Sequence, residues 1–243
     1  MVHLMGLNVG FVSTRFAGID GVSLEASKWA QILEDEGHTC FWFAGELTKN
    51  SNVSIFAAQA SFKNGQNQWI NSQLFGTHTK SLQLAQIICN FKSSLASRLK
   101  MFINLYDINL LVVENALAIP MHIPLGLALT DVIAETGIPS IAHHHDFYWE
   151  RPRYLPLNGN KTYIHRAFPP KLHNIEHVVI NSEARQALAH HRGIASTLIP
   201  NVLDFETPPI VSKERVNAFR RSIGLEPDDV MFLQPTRIVQ RKG

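Results

Sequence analysis

The chain has 243 residues, 45% of them apolar and 17% charged, which suits a globular protein of one large domain or two small ones. Twenty-two Lys and Arg stand against twenty Asp and Glu, so the balance offers no broad basic face for nucleic acid and no run of like charge that would mark a tail. No stretch is apolar for long enough to span a bilayer.

The first residues, "MVHLMGLNVGFV", lack the basic start and small-residue cleavage site of a secretory signal and read as a first strand. "LNVGFVST" ends in Ser and Thr and passes through a Gly-containing turn into a helix, on which Val22, Ala26, Trp29, Ala30 and Leu33 share one face before Gly37 stops it. "TCFWFAG" is the next strand. Residues 46–78 are polar and irregular, and loops with one short strand are expected there. Leu84, Ile88, Phe91, Leu95, Leu99 and Phe102 then make the stripe of a long helix. "INLLVVEN" is a buried strand, Pro124 opens a helix through Glu135 that Gly137 stops, and "IPSIAHHH" is a further strand. Residues 146–176 read mostly as loop. "HVVINS" leads into a helix capped by Ser182, and "TLIPNV" is a late strand. Cys40 and Cys89, with no CxxC spacing, read as reduced core thiols of a cytoplasmic protein.

Strands alternating with helices predict an α/β fold: a Rossmann-like parallel sheet with helices on both faces, occupying residues 1–204. Residues 205–243 begin with the linker-like "LDFETPPIVSKE", continue in a short helix through Phe219 and Ile223, and end in a predicted buried strand, "DDVMFLQPTR". They read as the start of a second domain, too short to build its own sheet and core, which predicts a truncated protein.

Parallel sheets bind ligands beyond the carboxyl ends of their strands, and the chemically notable residues fall there. In "RFAGIDGVS", Gly18 and Gly21 bracket Asp20 at a helix start, a place suited to an anion; an ordinary turn explains the same residues, and the spacing is not the dinucleotide fingerprint. In "HHHDFYWERPR", side-chain alternation lets at most two of the three His converge, and no HExxH or CxxC supplies further ligands, so no metal is expected. Imidazole and Asp146 suit hydrogen bonds to hydroxyl groups, with Tyr148 and Trp149 as stacking faces and Arg151 as a cation; a satisfied His cluster at a strand end remains the plain alternative. Glu114 and Asn115 would either accept hydroxyl hydrogen bonds or cap the next segment. His190 and His191 suit a helix C-terminus. Arg237, Arg241 and Lys242 fit a diphosphate, Arg as a fork and Lys as a point charge, or a solvated turn.

In this order, "GIDGVSLEASKWAQILEDEGHTCFWFAG", "HHHDFYW", "VINSEARQAL", "LIPNVLD" and "MFLQPTRIVQRKG" resemble the retaining glycosyltransferases of the GT-B fold, family 4, over nearly the whole chain. "ENALAIPMHIPLG" with "HHHDFYWER" is similar to the mannosylglucosylglycerate synthase-like members of that family. The resemblance implies transfer of a sugar from a nucleotide-sugar donor, a co-substrate, to a small hydroxylated acceptor with retained anomeric configuration and without a metal or other cofactor. By the same resemblance, residues 1–204 are the acceptor-side domain of a GT-B enzyme. Arg237, Lys242 and the loop at Gly21 hold the donor diphosphate, and His145 and Asp146 lie at the reacting sugar. Asp20, Glu114, Asn115, Tyr148, Trp149 and Arg151 are expected on the acceptor side. The family's usual Gly before the donor-domain Arg is Thr236 here, and its second-domain acids are absent, so the chain is expected to be inactive alone. A nucleotide-sugar epimerase of the same architecture and a non-catalytic sugar-binding or regulatory domain are the rival expectations.

Overall fold

The computed structural model describes residues 6–76, 81–155, 160–203, 205–206, 210–226 and 228–234. The chain divides into two compact units, Met1–Asn201 and Val202–Gly243.

The first unit is built on β1 (Asn8–Ser13), β2 (Thr39–Ala44), β3 (Ser54–Phe56), β4 (Leu110–Glu114), β5 (Ser140–His144), β6 (Ile175–Val179) and β7 (Thr197–Leu198). They form one parallel sheet in the order β3-β2-β1-β4-β5-β6-β7. Its helices are α1 (Gly21–Asp35), α2 (Gly65–Gly76), α3 (Leu82–Leu105), α4 (Ile123–Thr136), α5 (Lys161–Ala167) and α6 (Ser182–Arg192). Apolar side chains on both faces explain the continuous apolar runs of the strands. Val9, Phe11, Trp42, Ala44 and Val112 pack with Ala26 and Ala30 of α1 on one side. Val12, Phe43, Leu111 and Val113 pack with α3 and α4 on the other. The six-residue stripe of α3 is buried along its length. From β1 the chain builds outward to β2 and β3, then returns through α3 to lay β4 on the opposite side of β1. Open α/β sheets hold ligands at such a reversal, outside the carboxyl ends of the strands that flank it, here β1 and β4.

Several expectations are corrected. Residues 65–76 are helical, because Asn67, Ile70 and Leu74 lie on one helix face, with Asn64 Oδ1 accepting from the amides of Gln66 and Asn67 at its start. Asn67 is buried on that face and donates to the Phe62 and Met121 carbonyls, so a polar residue stands where an apolar one would have signalled the helix. The cap of α6 is Asn181, whose side chain accepts from Ala184 N at 2.7 Å; Ser182 is the first helical residue. Cys40 is buried, and burial, followed by the nearby Glu34 charge, pushes its thiol up to about 12. Cys89 is exposed on α3, one residue past the buried Ile88.

The second unit contains α7 (Lys213–Ser222), capped by Ser212. Arg220 donates to the carbonyls of Glu226 and Asp229, which ties both residues back to the helix end. Residues 228–234 are irregular, not the predicted strand, and Val230, Phe232 and Leu233 are exposed. Among the described residues of this unit no other strand stands ready to pair with them, and an unpaired strand leaves its backbone groups to water. Among the described residues, no helix is long and apolar enough to cross a membrane.

Candidate functional site

β4 and β5 are neighbours, and their register sets Glu114 opposite His143. His145 follows two residues later, so it returns to the same side of the sheet as His143. Both imidazoles reach the Glu114 carboxylate, His143 through Nδ1 at 3.1 Å and His145 through Nε2 at 3.1 Å. Glu114 and His143 are fully buried, while the His145 side chain keeps 10% of its surface exposed. Burial opposes ionisation of Glu114, but the hydrogen bonds from His143 and then His145 outweigh it and hold its pKa below the ordinary carboxylate value. A buried carboxylate is tolerable only when hydrogen-bonded or paired in this way. Ligand atoms of these three residues lie within 4.8 Å of one another, a spacing that metal ligands also meet. The same spacing is that of the two imidazole-to-carboxylate hydrogen bonds.

The middle imidazole points the other way. His144 Nε2 lies 2.9 Å from Nδ1 of His177 on β6, and both rings are buried. Side-chain alternation therefore converges two of the three His on Glu114 and sends the third into the core.

Asn115 ties the strand ends together. Its φ is 58°, a left-handed conformation in which Asn is enriched. Its amide N–H donates to the His143 carbonyl at 2.9 Å, its Oδ1 accepts from His145 N at 3.2 Å, and its Nδ2 donates to Asp146 Oδ1 at 2.9 Å. Asp146 also pairs with Arg151. Ser13 Oγ, at the end of β1, donates to the Glu114 carbonyl at 2.9 Å. The ends of β1, β4 and β5 are thereby linked by hydrogen bonds.

No protein-family model matches the sequence. It is similar to two curated proteins named mannosylglucosylglycerate synthase. The chain is 33% identical over 239 residues to the one of Thermotoga maritima, an alignment covering 97% of this chain and 54% of the relative. It is 30% identical over 243 residues to the one of Petrotoga mobilis, covering 98% of this chain and 54% of the relative. The chain thus spans about half the length of the curated relatives it matches.

The remaining predicted residues divide. Asp20 is the cap of α1: its carboxylate accepts from Ser23 N at 3.2 Å and Ser23 Oγ at 2.9 Å, and it lies 3.5 Å from Arg15 Nε. Gly21 is the first residue of α1, with open space where a Cβ would stand; the left-handed glycine of this loop is Gly18, at φ 78°. Tyr148, 7% exposed, belongs to the core and is not on a binding surface. Trp149 stacks on Phe147 at 4.4 Å and on His191 at 4.6 Å, so its ring is engaged inside the protein. Glu114, expected to accept from acceptor hydroxyls, has no exposed surface and is spent on His143 and His145. Arg237 and Lys242, with Arg241, lie outside the described residues. The sequence reading missed Ser13, Trp29 (stacked on His143 at 4.5 Å) and Asn201, whose Nδ2 lies 3.4 Å from His145 Nδ1. Nothing local marks these three, because only strand order and side-chain packing bring them to the cluster.

Proposed function

We propose that the full-length protein is a retaining glycosyltransferase of the GT-B fold, family 4, which moves a sugar from a nucleotide-sugar to an acceptor hydroxyl. The observation that carries this is 33% identity to a curated mannosylglucosylglycerate synthase across 97% of the chain. The parallel sheet supports it, with its polar residues gathered at the carboxyl edge beside the β1–β4 reversal. By the chemistry in the relatives' name, the donor carries an activated mannosyl group and the acceptor is glucosylglycerate. His145 and Asp146 face the sugars, and Arg237 and Lys242 hold the donor diphosphate and stabilise the nucleotide leaving group electrostatically. The chain is the acceptor-side domain with the beginning of the donor domain, in a cytoplasmic enzyme that needs no metal.

The deciding assay mixes the full-length gene product with a nucleotide-activated mannose and glucosylglycerate and follows the product by mass spectrometry and its anomeric configuration by NMR. A mannosylated product of retained configuration supports the proposal. An altered sugar formed without acceptor would point to an epimerase, and acceptor binding with no turnover to a binding domain; either result sinks it.

Two substitutions test the phosphate-side residues. Lys242→Ala should lower kcat about a hundredfold, the scale of removing one electrostatic stabiliser of the departing charge. An unchanged rate would exclude Lys242 from the diphosphate site. Gly21→Ala adds a methyl group that, among the described residues, meets nothing within 4 Å beyond its chain neighbours and its own helix backbone. The unfolding midpoint should therefore stay within about 0.5 kcal/mol of wild type. If the loop lies against the ligand, KM should rise about tenfold, since one misplaced methyl group has that scale of effect. Equal kinetics in a stable variant would remove Gly21 from the site.

A further inference from the structure

Glu114 has no exposed surface, so whatever it contributes to ligand recognition must pass through the side chains that touch it. An ionised carboxylate only accepts hydrogen bonds. The nitrogens facing it, His143 Nδ1 and His145 Nε2, must therefore both carry protons. In a neutral His145 ring this leaves Nδ1 with its lone pair, and Nδ1 is the atom 3.4 Å from the Asn201 amide group. His143 has a different part. It is fully buried, stacked on Trp29, and among the described residues its Nε2 has no hydrogen-bond partner. Its Nδ1 lies 3.1 Å from Oε2, the oxygen that His145 also faces, and 3.2 Å from Oε1, so it holds the carboxylate against His145. Asn115 holds the His145 backbone through its Oδ1.

From this geometry we infer that Glu114 is a positioning residue: it fixes His145 in the Nε2–H tautomer, so that Nδ1 is presented as a hydrogen-bond acceptor to a hydroxyl group of a polyhydroxylated ligand at the carboxyl edge of the sheet. The ligand half of this statement rests on the glycosyl-transfer reading above; the tautomer half does not. An inert, satisfied cluster would hold the same heavy atoms in place but would leave ligand turnover indifferent to which nitrogen carries the proton.

Glu114→Gln separates the two. The amide keeps the shape of the carboxylate but offers one acceptor and one donor group. Both rings lie nearest Oε2, and His143 Nδ1 alone also lies 3.2 Å from Oε1. An amide oxygen at the Oε2 place would set the amide N–H against the His143 N–H in the core; with the oxygen at the Oε1 place His143 keeps its acceptor, and His145 meets an N–H and must move its own proton to the opposite nitrogen. For His143 the same move would place an N–H in the core where, among the described residues, Nε2 has no acceptor. His145 is the ring able to change, because its Nδ1 lies near the surface and beside an amide that can present its oxygen instead.

The experiment is NMR of the imidazole nitrogens in full-length protein labelled with 15N-histidine, together with steady-state kinetics. In wild type, His145 should carry its proton on Nε2, and in Glu114→Gln on Nδ1. The unfolding midpoint of the variant should show a single cooperative transition, and kcat for transfer should fall about tenfold, the scale of one hydrogen bond reversed from acceptor to donor. Should Glu114→Gln not fold, His145→Asn takes its place. Its amide oxygen can stand near the Nδ1 position, so it should retain about tenfold more activity than His145→Ala. A wild-type proton on Nδ1, a tautomer indifferent to Glu114→Gln, unchanged kinetics in a variant whose tautomer has moved, or equal activity in His145→Asn and His145→Ala would each overturn the inference. A tautomer that responds as expected in a protein with no transferase activity would support the positioning role and sink the functional reading instead.

Discussion

Lowering the pH from 7 to 5 should destabilise the first unit by about 4 kcal/mol from two imidazoles alone, each contributing 1.36 kcal/mol per pH unit below its unfolded value. Burial, only partly offset by the hydrogen bond to the Gln59 carbonyl, lowers the pKa of His122 to about 4. Burial likewise lowers that of His177 to about 4. His144 is driven well below its ordinary value by burial and then by the neighbouring imidazole of His177. The sign follows from linkage. These rings are neutral when folded, and between about pH 6.5 and pH 4 the unfolded chain binds the protons that the folded chain refuses. Stability is therefore full above pH 6.5 and falls as pH drops through that window. The structure shows what resists the proton. His122 Nδ1 accepts from Leu125 N at 3.1 Å as the cap of α4, while its Nε2 donates to the Gln59 carbonyl at 2.8 Å. Protonating Nδ1 turns the cap into a clash of donors. The 2.9 Å contact between His144 and His177 likewise needs one ring as donor and the other as acceptor. Urea unfolding followed by circular dichroism at pH 7, 6 and 5 should show the midpoint falling steadily; a flat midpoint would mean that these rings are not neutral in the folded protein.

The same residues show what a sequence can and cannot reveal. Alternation along a strand was enough to say that at most two of the three His converge, because that follows from chain geometry alone. The stripe of α3, the proline-led start of α4 and its Gly137 stop were equally legible, since spacing and local chemistry encode them. What converges on His145 was not. Glu114 reaches it because β5 pairs with β4 in a register that only the assembled sheet defines. Asn201 reaches it from beyond β7, 56 residues away along the chain. Trp149 looked like a stacking platform by composition, yet Phe147 and His191 already stack on it. Composition names the chemistry available at a strand end; packing decides which atoms of it remain open.

Gly45→Ala should be the most damaging small substitution in the unit, costing more than about 4 kcal/mol, a size reserved for severe overpacking or backbone displacement. Gly45 ends the β2 run, its N–H donating to the Thr14 carbonyl at 3.2 Å. A Cβ there would stand 1.9 Å from Ser61 N, 2.2 Å from Ser61 Cα and 2.4 Å from Ala60 C. All three are backbone atoms, so no side chain can rotate to make room. Its conformation is not left-handed, so the demand for glycine here is one of space alone. Moving Ala60 and Ser61 would not stay local. Ser61 Oγ donates to Glu46 Oε1 at 3.0 Å, Lys63 reaches Glu46 Oε2 at 3.0 Å, and the Glu46 carbonyl accepts from Phe16 N at 2.7 Å. The displacement therefore passes to the loop that carries Arg15 and Asp20 at the carboxyl edge of β1. Gly126→Ala supplies the comparison: its Cβ would lie 2.3 Å from the Phe168 ring, a side chain, which gives way more cheaply than backbone even when buried. Urea midpoints should therefore fall in the order Gly21→Ala, Gly126→Ala, Gly45→Ala, the first close to wild type and the last without a folded baseline. A Gly45→Ala protein within 1 kcal/mol of wild type would show that the 58–61 turn does not pack against the end of β2.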